Sequence, residues 1–106
     1  MIGLLILTAV FEPSAIFFTA NDIFEAACDG RNRSGCAEFV TGVYDGDSMA
    51  RASAKIPQFA CPTPGSTPLQ LGDIATKWLL NHPEQRTMAA STAVMLALRE
   101  AFPCQL

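Results

Sequence analysis

The residues of this chain best equipped for chemistry are four cysteines, at positions 28, 36, 61 and 104, and a single histidine, His82. A cysteine beside a histidine can act as a nucleophile when the imidazole holds it as a thiolate. His82, however, stands directly before Pro83 in a polar stretch, and all four cysteines have a simpler use as bridges. Zinc sites want clustered ligands, typically at CxxC spacing. The closest pair here, Cys28 and Cys36, is eight residues apart. No glycine loop of the phosphate-cradling Walker type occurs. The expectation is therefore a chain with no catalytic residues, no metal site and no cofactor.

An even number of cysteines in a chain of 106 residues instead suggests a disulfide framework and an oxidising compartment. Four cysteines allow three pairings. Cys28 and Cys36 fall at the end of one expected helix and the start of the next, across a tight polar turn, so they are natural neighbours. Cys61 is then left for Cys104. That pairing explains the segment "LREAFPC" at 98–104, in which a run of helix formers stops at Pro103 and passes at once to a cysteine. Chain ends normally fray, and a bridge there would fasten the last helix to the irregular segment before the third. Closing so long a loop stabilises by roughly 4 kcal/mol in the chain-entropy account.

The elements that hold these residues can be read from periodicity and punctuation. "NDIFEAACDG" reads as a first helix, with Asn21 as its cap and Ile23, Phe24, Ala27 and Cys28 on one face; Gly30 is placed to stop it. A second helix starts near Ser34, with Cys36, Phe39, Val40, Val43 and Tyr44 forming one apolar stripe. Gly42, Gly46 and Ala50 recur every four residues on it. Glycine inside a helix costs about 1 kcal/mol against alanine, so this face invites close packing by another helix; the alternative is a break at Asp45-Gly46-Asp47. "KIPQFACPTPGSTP" is too rich in proline for regular structure and reads as an ordered loop, with Phe59 as its plug. A third helix begins after Ser66 or Thr67, with Pro68 in its first turn, and carries Leu71, Ile74, Ala75, Trp78 and Leu79 on one stripe. Pro83 ends it at His82. A fourth runs from about Ala89 to Phe102, with Ala90, Ala93, Val94, Ala97, Leu98 and Ala101 on one side and Met95 and Leu96 widening the stripe. No segment reads as a strand. The fold class is all-α: a small four-helix domain stapled by two disulfides.

Composition bounds the partners. The formal net charge is −3 and no basic cluster occurs, which argues against nucleic acid and against a polybasic membrane anchor. The apolar run from Ile2 to Phe11 has the length of a signal-peptide core and is too short to span a bilayer. Residues 1–15 are thus expected to be a signal peptide, although the segment has no Lys or Arg and Pro13 suits a cut after Ala15 poorly. Residues 16–106 form the single helical domain, with no stable membrane insertion once the signal is removed.

Three stretches, "NDIFEAAC", "CAEFVTGVYDG" and "LGDIATKWLLNHPEQRTMAASTAVMLALREAFPC", resemble the Rap/Tai family of immunity proteins, which oppose amidase effectors of bacterial type VI secretion. The C-terminal half is the most specific part. The departures lie in "DGRNRS", in Tyr44-Asp45-Gly46 and in the signal region. The resemblance implies a helical periplasmic protein, often a homodimer, whose partner is a secreted peptidoglycan amidase of the NlpC/P60-like type with a cysteine nucleophile. It implies a toxin inhibitor that occludes an active-site cleft and performs no chemistry. The alternative is another small periplasmic helical binding protein or stress chaperone on the same scaffold.

A plug for a cleft should be polar and held at both ends. "NHPEQRTM" at 81–88 joins the two most regular helices and is stiffened by Pro83, so His82, Glu84, Gln85 and Arg86 are the effector-binding candidates, expected to point outward. The polar turn at 29–34 is the competitor. The fourth helix and the Gly42/Gly46 face are the expected homodimer or helix-packing surfaces.

Overall fold

The computed structural model describes residues 16–105. The expected signal peptide, 1–15, lies outside the described residues. Four α-helices follow one another: α1 (Ala20–Ala26), α2 (Arg33–Ala54), α3 (Pro68–Asn81) and α4 (Ala90–Ala101). A short 3₁₀ turn, Pro83–Gln85, sits between the last two. The described residues contain no strand, only one isolated antiparallel bridge between Thr19 and Ala89. The all-α class is as expected, and so are both disulfides, Cys28–Cys36 and Cys61–Cys104.

The first three helices begin for a reason visible in their own residues. Thr19, rather than Asn21, caps α1: its hydroxyl accepts from the Asp22 N–H, and the Asp22 carboxylate accepts from the Thr19 N–H. This reciprocal box satisfies two donors where a single cap satisfies one. Asn21 instead donates to Glu25 one turn on. Thr67 and Gln70 form the same box at α3, with Pro68 as its first residue. Asn32 caps α2 by accepting from the Gly35 N–H, and the helix then runs unbroken through Asp45-Gly46-Asp47. It stops at Lys55, whose φ of 58° places it in the left-handed region. Between α1 and α2, Gly30 takes a φ of 102°, which only glycine adopts without strain.

The helices pack around a core that includes Val40, Ala75, Trp78, Leu79, Val94 and Leu98, all buried. Fully burying an aliphatic side chain contributes about 1.5–3 kcal/mol, so these residues dominate the gain. α2 and α3 are the most intimately packed pair, and α4 closes over both. The buried alanines 90, 93 and 97 let α4 approach closely; Ala101, expected on the same side, is exposed.

The tight helix crossing is not where the glycine spacing of α2 placed it. A Cβ on Gly42 or Gly46 would meet nothing within 4 Å. The close approach occurs at Gly72 of α3, where a Cβ would lie 2.9 Å from both the Cα and the N of Ala37. The Gly42/Gly46 face instead opens a groove of about 460 Å³ between α2 and α4. Phe59 lines it, with the guanidinium groups of Arg51 and Arg99 over its ring at 5.1 and 4.5 Å from the ring centre.

Candidate functional site

The turn from Asn81 to Met88 is held from three directions. At its start, the His82 ring stacks on Trp78, one turn back on α3, with ring centres 4.2 Å apart. Trp78 is itself fixed, because its indole N–H donates to the Glu100 carboxylate on α4 at 3.2 Å. At its centre, the Arg86 guanidinium donates twice to the Leu79 carbonyl, at 3.0 and 2.8 Å, and lies 3.9 Å over the Phe24 ring. The Leu79 carbonyl, in the last turn of α3, otherwise accepts only a longer bond from the His82 N–H at 3.3 Å, and a cation near that end is favoured by the helix dipole. Arg86 supplies the shorter bonds and the charge. At its end, the turn is clipped to the start of α1: Ala20 N–H donates to Met88 C=O at 2.7 Å, Asn21 N–H to Arg86 C=O at 2.8 Å, and Ala90 N–H to Phe18 C=O at 2.9 Å. The last of these replaces the side-chain cap that α4 lacks.

The four candidate residues therefore divide. Arg86 faces inward as a strut, and His82 is half-buried against Trp78. Glu84 projects with 64% of its side chain exposed, and its carboxylate lies 3.5 Å from His82 Nδ1. Gln85 is half-buried and donates weakly to Glu84. The expectation that all four point outward holds for Glu84, while packing claims Arg86 and the His82 ring. Trp78 and Glu100, which set the position of His82, were not among the candidates. Trp78 reads in sequence as one more core position; its indole N–H, which needs a partner when buried, is the signal that could have led to Glu100.

The competing turn is built differently. Asp29 accepts from Arg31 N–H and from its guanidinium at 3.0 and 2.7 Å, which lowers the carboxyl below its ordinary range. Arg33 at the start of α2 makes a forked pair with Asp73 of α3, at 3.0 and 2.6 Å. Both arginines are thus paired within the chain, Arg31 inside the turn and Arg33 across to α3.

Among the described residues no group of three or more His, Cys, Asp or Glu side chains could hold a metal ion, and no helix is long and apolar enough to cross a membrane. Comparison with curated proteins and with solved structures gave no match. The sequence model of the Rap1a immunity proteins, by contrast, matches residues 19–104, a span that starts at the Thr19 cap and ends at the Cys104 bridge. The chain belongs to the Rap1a immunity protein family.

Proposed function

We propose that the protein is a periplasmic immunity protein that binds a peptidoglycan amidase delivered by type VI secretion and occludes its active-site cleft without chemistry of its own. The family supports an effector-binding role. Two disulfides, which persist in oxidising compartments, support export. The amidase, of the NlpC/P60-like cysteine type, comes from the resemblance in the C-terminal half.

The observation that carries the choice of surface is the bracing of the Asn81–Met88 turn. Its inward contacts through His82, Arg86 and the α1 clip hold the backbone while Glu84 stays in solvent. A braced turn loses little conformational entropy on binding, which favours affinity. Glu84 and Gln85 are then the contact residues, and His82 and Arg86 position them. Inhibition of the cognate amidase by a Glu84→Ala/Gln85→Ala variant should fall about 30-fold, the equivalent of a 2 kcal/mol interface residue, with its circular dichroism spectrum unchanged. Undiminished protection by that variant would move the plug elsewhere, first to residues 29–34.

The protein also reads as a homodimer. The α2–α4 groove is lined by Gly42, Val43, Gly46, Met95 and Leu96, and exposed Phe17 and Phe18 lie along an adjoining cavity of about 490 Å³ that shares Val43 with it. Contiguous apolar surface of this kind marks association sites.

A further inference from the structure

The two disulfides differ in what can reach them. Cys28 and Cys36 are 0% and 1% exposed. Cys61 is exposed and Cys104 half-exposed. The accessible bridge is also the one that connects to the turn. Besides the covalent bond, Cys61 N–H donates to the Phe102 carbonyl at 2.9 Å, so the loop holds the last turn of α4 twice. That turn carries Glu100, which holds Trp78, which stacks on His82. Pro103, beside the bridge, and Gln85, in the turn, line one cavity of about 490 Å³ whose walls include Trp78, His82 and Glu100.

We propose that the Cys61–Cys104 bridge is a redox strap that gates effector binding. Oxidised, it keeps Glu100, Trp78 and His82 in register and the turn braced. Reduced, it frees the end of α4 and slackens the turn, while the domain stays folded around the sheltered Cys28–Cys36 bridge. The reductant is an accessible dithiol. One of its thiolates attacks the sulfur of Cys61, the more exposed residue of the bridge, the Cys61–Cys104 bond breaks, and Cys104 leaves as a thiolate that takes up a proton. The second thiol then attacks the mixed disulfide and releases Cys61, so the dithiol loses two electrons and becomes a disulfide. Rates of such exchange depend on access to the attacked sulfur, which singles out Cys61. The gate rests on the turn being the surface that meets the effector.

Trp78 is the chain's one tryptophan, so its fluorescence reports the strap without any effector present. The full chain is equilibrated in graded dithiothreitol, trapped by alkylation and mapped by mass spectrometry, with Trp78 emission and inhibition of the cognate amidase read at each point. Cys61 and Cys104 should alkylate at a reductant level at least about tenfold below that needed for Cys28 and Cys36. Over that interval the far-UV spectrum should persist, Trp78 emission should shift to the red, and inhibition should fall about tenfold. Opening of both bridges together, or opening of Cys61–Cys104 without an emission shift, overturns the strap. An emission shift with inhibition intact overturns the gate and, with it, the placement of the effector on this turn. The Cys61→Ala/Cys104→Ala variant should reproduce the reduced state; if it is unfolded by circular dichroism, the bridge is a determinant of the fold and the proposal is wrong.

Discussion

Along its first turns α2 lies so close to α3 that a Cβ on Gly72 would press against the backbone of Ala37; farther along, Gly42 and Gly46 face open space. The first region is locked by three independent devices: the steric fit at Gly72, the Cys28–Cys36 bridge next to Ala37, and the forked Arg33–Asp73 pair next to Gly72. The second has an Asp47–Arg51 pair within α2 itself and Phe59 in the groove wall. One residue type thus closes a helix crossing in one place and opens a groove in the other. A glycine on a helix face removes volume; what fills that volume is decided by the partner helix, which the local pattern does not specify.

The contrast can be broken most directly at Gly72. Gly72→Ala should destabilise the protein by about 1–3 kcal/mol despite alanine's better helix propensity, because the new methyl meets backbone atoms that cannot rotate away. Urea denaturation measures this, and a gain in stability would mean that the crossing relaxes. Gly42→Leu should act in the opposite sense on the monomer, raising its stability by about 0.5–1 kcal/mol, since leucine is the better helix former and its Cβ meets nothing within 4 Å. The same variant should weaken self-association in sedimentation velocity if the groove is the dimer contact; stable dimers would place that contact elsewhere. The smallest effect belongs to Asp73. Its hydrogen bond from Arg33 lowers the carboxyl below the ordinary 3.8. The stabilisation is therefore present above that value and is lost as pH falls through the lowered one. Asp73→Asn should flatten the acid limb of stability below about pH 4, by an amount that shrinks with added salt because the pair is exposed. An unaltered acid limb would show that the pair does not reinforce the crossing.

Much of the fold could be read before it was seen, because its signals are local. Pro68 and Pro83 bound α3, the apolar stripe of α4 gives its buried face, and cysteines at helix ends leave one short-range pairing and one long-range remainder. Thr19 was legible too, since Thr-x-x-Asp is a capping box, but Asn21 next to Asp22 offers a simpler cap and competes for the same reading. What was hidden is non-local. Gly72 shows no periodicity with another glycine, and its importance comes from Ala37, 35 residues away. The start of α4 has no capping side chain because the cap is the Phe18 carbonyl. Arg86 looks like a solvated charge in a polar turn, yet Leu79 and Phe24 draw it inward. The segment was legible as a polar turn between two helices, while the division between the residues that brace it and the residue that projects depended on contacts with α1, α3 and α4.

The backbone clip between residues 18–21 and 86–90 also limits how the chain can be trimmed. Its outermost acceptor is the Phe18 carbonyl, which receives the Ala90 N–H. Any cut before Phe18 leaves every bond of the clip in place, including a cut after Ala15 or two residues later. A cut after Phe18 removes the only partner that the first amide of α4 has in place of a cap, and it does so at the far end of the sequence from the helix it affects. How far the chain can be trimmed from this end is therefore a property of the turn and of α4: removal up to Phe17 spares the clip, and removal of Phe18 breaks it.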